Sequence, residues 1–278
     1  PETLTLSPDE TAKKIGPRTR ALLPVDYAGH PADLDAFRDL ARSRRLVLIE
    51  DACHAPGAFH KDRPVGSLSD ITVFSFHPVK HLTTGEGGMA VTDDAGLAAR
   101  MRRFRNHGID RDARARSKEG AFTYDLAELG YNYRLCDIGA ALGHSQLRRL
   151  PANIAKRRML AALYREALSP LQALRLPGEA PWARSAWHLY PARLRPGAPL
   201  GRDALLAALK EMNIGGNVHY PPVHLHSYYR KRFGYAGGEF PVAEEAAASL
   251  LSLPMFHAMT GADVGDVAKA LTLALGAA

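Results

Sequence analysis

Cysteine is nearly absent: the 278 residues contain only Cys53 and Cys136. Two cysteines cannot build a disulfide framework, and such sparse usage points to a reducing, cytoplasmic setting. Long hydrophobic runs are missing as well. A membrane span needs about 18–20 apolar residues in succession, whereas the strongest apolar piece, Leu46 to Ile49, is strand-sized. There is no internal repeat and no low-complexity tract, which argues against solenoids and fibrous arrays. Acidic residues are in deficit, with Lys+Arg 36 against Asp+Glu 29 and a formal net charge of +7. That balance favours anionic partners without choosing between nucleic acid, membrane surface and phosphorylated small molecules. An initiator methionine is also missing: the chain opens at Pro1, and PETLTLSPDE reads like the interior of a protein.

What is present is ordinary for a globular chain: 46% hydrophobic and 23% charged residues. The length can bury a sizeable core and suggests two domains. Ser7-Pro8-Asp9-Glu10 has the form of a helix start. Pro31 to Ser43 carries Leu34, Phe37, Leu40 and Ala41 at helical spacing. Leu46 to Ile49 reads as a strand buried on both faces, and Ile71 to Phe74 and Met89 to Thr92 as two more. Strands alternating with helices predict α/β architecture with a mostly parallel sheet. Further on, helices are expected over Ala95 to Asn106 and over Asp137 to Leu168, the latter with a break or kink near Pro151. Arg111 to Lys118 reads as a basic loop and Pro177 to Pro181 as a linker. His188 to Leu194 and Gly216 to Tyr220 are expected as strands. Gly201 to Met212, Pro241 to Leu251 and Gly261 to Leu275 are expected as helices. These make a smaller α+β unit, so the division expected is 1–150 and 151–278.

Ligands of open α/β sheets gather at the carboxyl ends of the strands. Two polar clusters stand at such ends: Glu50-Asp51-Ala52-Cys53-His54, and the run from Ser75 through Lys80 to Gly88. An acid at one strand end and a lysine just beyond another suit pyridoxal phosphate. That cofactor needs an amine for a Schiff base and a carboxylate at its pyridine nitrogen. Asp51 and Lys80 can fill those roles, and Ser75 can donate to the phosphate. Taken singly, each has a plainer reading, Asp51 as a turn former and Lys80 as a solvated loop residue. Gly85-Glu86-Gly87-Gly88 does not match a dinucleotide fingerprint and reads as a tight turn back into the sheet.

The segments IEDACHAPGA and VGSLSDITVFSFHPVKHLTTGEGGMAVTDD resemble the central block of the DegT/DnrJ/StrS family of sugar aminotransferases. RTRALLPVDYAGHPADLD before them, and FRNHGI, LGYNYRLCDIGAALGHSQL, WHLYPARL and NVHYPPVHLHSYYR after them, continue the resemblance over nearly the whole chain. It implies the aspartate-aminotransferase fold (fold type I) and pyridoxal 5'-phosphate as cofactor. By position it implies Lys80 as the Schiff-base lysine and proton-shuttling base, with Asp51 at the pyridine nitrogen. His54 lies where the family has His or Gln near the ring hydroxyl, and Ser75 at the phosphate. Asn132 and Arg134 fall in the loop that family members extend to the partner subunit of a homodimer with shared sites. His77, His188 and His219 are implied on the substrate side, and His188 and His219 have packed or surface roles as plainer readings.

Within the family, FHPVKHLTTGEGG looks most like the aminotransferases of pseudaminic acid synthesis. These convert a UDP-4-keto-6-deoxy-N-acetylhexosamine to its 4-amino sugar, with glutamate expected as donor. The alternative is the UDP-4-amino-4-deoxy-L-arabinose group, whose members carry Asn where this chain has Arg134. Family members also have a large segment before the equivalent of Pro1. It contributes a phosphate-holding turn, a ring-stacking aromatic residue and part of the sheet, so an incomplete cofactor pocket is expected.

Two other classes compete. His219, His224 and His226 cluster as if for a metal-dependent hydrolase, but no acid lies close by in sequence, and no metal is expected. Arg100, Arg102, Arg103, Arg105, Arg111, Arg114, Arg116 and Lys118 could bind nucleic acid. No aromatic interleaving or groove-reading motif accompanies them, so neither nucleic acid nor membrane is expected as a partner.

Overall fold

The computed structural model describes residues 2–111, 116–118, 120 and 122–276. Arg114 lies outside them. Ser7 caps helix α1 (Pro8–Lys14) by accepting from the Glu10 amide at 3.3 Å. Asp33, rather than a residue before Pro31, caps α2 (Leu34–Arg44), which buries Leu34, Phe37 and Ala41. A four-stranded sheet follows the order β1 (Ala21–Leu22), β2 (Val47–Asp51), β5 (Ile71–Ser75), β6 (Gly88–Val91). β1 and β5 lie parallel to β2, and β6 turns back antiparallel to β5. This is the mostly parallel α/β sheet that the alternation of elements predicted. Gly88 sits opposite Ser75, where a Cβ would stand 2.7 Å from the Phe74 carbonyl oxygen, so the return strand begins on a residue without a side chain.

β2 is not buried on both faces. Leu48 and Glu50 are buried while Val47 is exposed, because successive side chains point to opposite faces. A short antiparallel ladder of β3 (Phe59–His60), β4 (Arg63–Pro64) and β8 (Ala183–Arg184) brings the segment before residue 185 back beside the sheet. Here Pro177 to Pro181 is stitched down rather than slack: Glu179 accepts from Arg158 at 2.7 Å and from the Ser185 amide at 2.7 Å.

After α3 (Ala95–Phe104), the long α4 (Asp137–Leu168) runs unbroken through Pro151. The expected break is absent because Leu150 and Ile154, on either side, are buried against Ala55, Phe76, Leu82 and Ala186. The far half of α4 packs Leu160, Tyr164 and Leu168 on a second sheet of β7 (Leu174–Arg175), β9 (Tyr190–Leu194) and β10 (Leu250–Leu253). α5 (Arg202–Glu211) and α8 (Gly261–Ala274) close this core with Leu205, Leu209, Val267 and Leu271.

Two expectations in this part fail. Gly216 to Tyr220 forms no strand, only a bridge from Asn217 to Ser252. The helix expected to Leu251 ends as α7 (Pro241–Ser249), and Leu250 turns extended to start β10. Pairing with β9 buries all four β10 residues, a gain that outweighs local helix propensity. Between them lies the short helix α6 (Ser227–Phe233). No helix among the described residues is long and apolar enough to cross a membrane.

Candidate active site

The parallel register of β2 and β5 sets Asp51 beside Val73, two residues before Ser75, so both strands deliver a polar group to the same end of the sheet. Asp51 is fixed by its own backbone. Its N–H donates to the Pro24 carbonyl at 3.0 Å, and its carbonyl accepts from the Asp26 amide at 2.9 Å. Its Oδ1 accepts from the Cys53 amide at 3.1 Å, a side-chain turn that bends the chain away from the strand. Ser75 Oγ accepts from the His77 amide at 3.3 Å, which starts the turn leading to Lys80. That turn closes when the Lys80 amide donates to the His77 carbonyl at 2.9 Å.

Lys80 is half-buried and makes no ion pair among the described residues. Burial pulls its ammonium below the usual lysine range, and Cys53 and Asp51 oppose the shift. Cys53 sits between them as a spectator. Burial, followed by the Asp51 carboxylate, pushes its thiol up to about 12.

Behind Lys80 lies a cluster of histidines drawn from distant parts of the chain. His54 Nδ1 accepts from the Ala28 amide at 3.3 Å, which leaves the proton on Nε2, 3.4 Å from the Tyr220 hydroxyl. His81 Nε2 donates to the Pro56 carbonyl at 2.7 Å. The His188 ring packs 4.5 Å from His54 and 5.6 Å from His81, centroid to centroid. Burial, reinforced by Lys80, lowers His54 to about 3; burial, reinforced by Arg157 and Lys80, lowers His81 to about 4. His188 is depressed further still, again by burial first and then by His54 and His81. All three rings are therefore neutral. His219 joins from the other side, with Nδ1 2.9 Å from Ser252 Oγ and its carbonyl accepting from the Tyr27 hydroxyl.

The loop Tyr27–Gly29 holds this assembly together. The Gly29 carbonyl accepts from the Ala186 amide at 2.9 Å and the Ala28 carbonyl from the Leu189 amide at 3.3 Å. Gly29 has φ +93°, and a Cβ there would stand 2.9 Å from both the His188 nitrogen and the His54 oxygen. Only glycine fits that crossing.

The structure thus brings Asp51, His54, Ser75, Lys80, His188 and His219 to one region. It adds Tyr27, His81 and Tyr220, which lay inside the motifs quoted above but were not singled out. His77 stands apart from the buried cluster: it is exposed, with Nε2 3.9 Å from Glu86 Oε1. Asn132 and Arg134 are exposed too. Asn132 bridges to Asn106, and the Arg134 guanidinium donates to Asn106 Oδ1 at 2.5 Å.

The hydrolase reading needs correction. An acid does lie beside His224: Glu244 Oε1 is 2.8 Å from its Nε2, and Glu239 completes a group of three potential ligands. Sequence distance hid this pair, which α7 brings together. The carboxylates are already occupied, however. Glu244 accepts from the Gly238 and Phe240 amides, and Glu239 from the Ala236 and Gly237 amides. They fasten a loop, and His219 points to Ser252 instead. The basic residues are also locally engaged: Arg103 pairs with Glu128 at 3.6 Å, Arg111 with Asp110 at 3.3 Å, and Arg116 lies over Tyr124.

Comparison with known proteins agrees with this geometry. The family model for DegT/DnrJ/EryC1/StrS aminotransferases matches residues 1–272. The spore coat polysaccharide biosynthesis protein SpsC of Bacillus subtilis is 39% identical over 272 residues, covering 97% of this chain and 70% of that protein. The aminotransferase TlmJ of Streptoalloteichus hindustanus superposes with a TM-score of 0.88 at 33% identity, covering 99% of this chain and 71% of that one. Helicobacter pylori PseC, an aminotransferase of pseudaminic acid biosynthesis, superposes at 0.90 with 28% identity, over 99% and 71% of the two chains.

Proposed function

This chain belongs to the DegT/DnrJ/EryC1/StrS aminotransferase family, and on that premise we propose that it aminates a UDP-4-keto-6-deoxy-N-acetylhexosamine at C4 with glutamate as donor. Aminotransferases of this family use pyridoxal 5'-phosphate. The residues present fit that group. A half-buried amine without an ion pair, a strand-end carboxylate and a strand-end hydroxyl stand over a layer of neutral histidines.

When bound, the cofactor supplies a ring that accepts an electron pair from the carbon carrying the amino group. The chain's own groups do the rest. Desolvation favours the neutral Lys80 amine, which would serve as nucleophile and as the base that moves the proton. Asp51, whose Oδ1 accepts from the Cys53 amide, would hold the pyridine nitrogen. Ser75 holds the phosphate. His54 would lie near the ring hydroxyl, with Nδ1 fixed by the Ala28 amide. His188 and His219 line the substrate side, and His77 reaches the nucleotide sugar from the exposed turn. Residues 1–150 form the cofactor-binding part and 151–278 the smaller part.

Asn132 and Arg134 act on the site of a second copy in a homodimer. What supports this is the exposed apolar surface around them: Leu129, Tyr131, Tyr133 and Ile138. The free thiols Cys53 and Cys136 suit a cytoplasmic enzyme.

The observation that carries the choice of substrate is the run FHPVKHLTTGEGG around Lys80, together with the likeness to PseC. The test is a panel of UDP-4-keto sugars incubated with the protein, pyridoxal phosphate and glutamate, with products read by mass spectrometry. The expected product is the 4-amino-4,6-dideoxy-N-acetylhexosamine. Amination of the arabinose precursor alone would assign the chain to the UDP-4-amino-4-deoxy-L-arabinose group instead.

A further inference from the structure

Two carboxyl groups, Asp26 and Glu50, are completely buried behind the strand end that carries Asp51. Each is half satisfied. Asp26 Oδ1 accepts from the Ala32 amide at 2.9 Å. Glu50 Oε2 accepts from Thr72 Oγ1 at 2.7 Å and Ser69 Oγ at 3.1 Å. The remaining oxygens, Asp26 Oδ2 and Glu50 Oε1, are buried with no donor, and the bridge between Val25 and Asp51 turns the two side chains to the same face. An ionised carboxylate only accepts, and two neighbouring carboxylates buried without a cation cannot both stay charged, so the pair needs a proton. Asp51, next along β2, acts on Asp26 in the same direction as Glu50. Thr72 and Ser69, which face Glu50 from β5 and the turn before it, carry no charge.

We propose that Asp26 and Glu50 share one proton, and that the pair is a positioning element for Asp51. Glu50 precedes Asp51 on β2 and so points to the opposite face. The Asp26 amide donates to the Asp51 carbonyl at 2.9 Å. Through its side chains the pair ties the loop of residues 24–32 and β5 around that strand end. Burial, then Glu50, then Asp51 hold the Asp26 carboxyl well above the usual range, in keeping with a retained proton. The consequence for cofactor binding rests on the role of Asp51 proposed above; the shared proton does not.

The test uses the protein without cofactor. At neutral pH its infrared spectrum in D2O should contain the C=O band of a protonated carboxyl. Glu50→Gln and Asp26→Asn, which replace the shared proton by an amide hydrogen, should each remove it. Because the folded pair keeps a proton that the unfolded chain releases above about pH 4, wild-type stability should fall with rising pH relative to both variants. Absence of a band that these variants remove would overturn the shared proton. Positioning is read at Cys53, whose thiol is raised partly by Asp51. In a Cys136→Ser background, Glu50→Ala should displace Asp51 and speed alkylation of Cys53 several-fold at a given pH, with Glu50→Gln restoring the slow rate. Asp26→Ala gives the same comparison should Glu50→Ala not fold. Unchanged alkylation would overturn the positioning role. Neither readout involves pyridoxal phosphate, so failure of the cofactor reading would be seen separately.

Discussion

The imidazoles of His54 and His188 lie ring against ring, with centroids 4.5 Å apart and planes inclined at 46°. Both are buried and both are neutral, so neither pays the cost of a buried charge. His188 supports the ring that the Ala28 amide orients toward Tyr220. His188→Ala should therefore cost about 2–4 kcal/mol of stability, the scale of other large-to-small substitutions in a packed interior. Urea denaturation gives that figure. The side-chain nitrogen shifts of His54 should move in the same variant, and their constancy would show that the ring needs no such support.

Acid should unfold the protein through these histidines. Their folded values lie below the unfolded one of about 6.5, so the unfolded chain binds more protons. Stability is then complete above about pH 6.5 and is lost as the pH falls toward the folded values of about 4 for His81 and about 3 for His54. Each histidine contributes a slope of about 1.4 kcal/mol per pH unit in that window. His81→Gln keeps a donor for the Pro56 carbonyl and removes one titrating group. Its melting temperature should fall less between pH 6.5 and 5 than that of the wild type. The opposing slope from Asp26 and Glu50 is common to both proteins and cancels in the comparison.

Lys80 and Asp51 should fail in different ways. Lys80→Ala and Lys80→Arg should both abolish turnover, because a guanidinium stays protonated and cannot act as nucleophile or base. Borohydride reduction with pyridoxal phosphate should label Lys80 in the wild type and nothing in either variant, as read by peptide mass spectrometry. Asp51→Asn should retain the turn to Cys53 but lose the charge. A fall in kcat of about 10- to 100-fold corresponds to the 1.5–3 kcal/mol of a hydrogen bond to a charged group. Full activity in Asp51→Asn would remove Asp51 from the mechanism.

Arg157 is a buried cation whose partners are carbonyl groups. Its guanidinium donates to the Trp187, His188 and Met255 carbonyls at 3.0, 3.1 and 3.3 Å. Burial without an acid partner lowers it to about 10. Arg157→Met would leave those acceptors without a donor, at about 1–3 kcal/mol for each one that water cannot reach. Arg157→Lys should lose less, since an ammonium can still serve some of them. The denaturation midpoints should fall in the order wild type, Lys, Met. Equal midpoints for Lys and Met would mean that shape, not hydrogen bonding, is what Arg157 supplies.

Wherever a local pattern and its chemistry coincide, the residues alone were enough. The apolar runs before Asp51 and Ser75 named the two strands, and the parallel register brings the polar group at each end to the same edge of the sheet. The cap at Ser7 starts its helix because a side-chain oxygen satisfies an amide three residues on. The succession of motifs from PVDYAG to HYPPVH identified the family. Tertiary structure decided what depends on chain crossings that leave no periodic trace. Residues 54, 81 and 188 are far apart in sequence, and only the crossing at Gly29 packs their rings into one neutral layer. Leu250 to Leu253 became a strand because β9 offered a partner, and Pro151 stayed helical because its neighbours were held in a core. Nothing in the sequence marks Asp26 and Glu50 as a pair; the fold buries both completely. Short-range preference is written residue by residue, whereas burial and partnership exist only once the whole chain has closed around them.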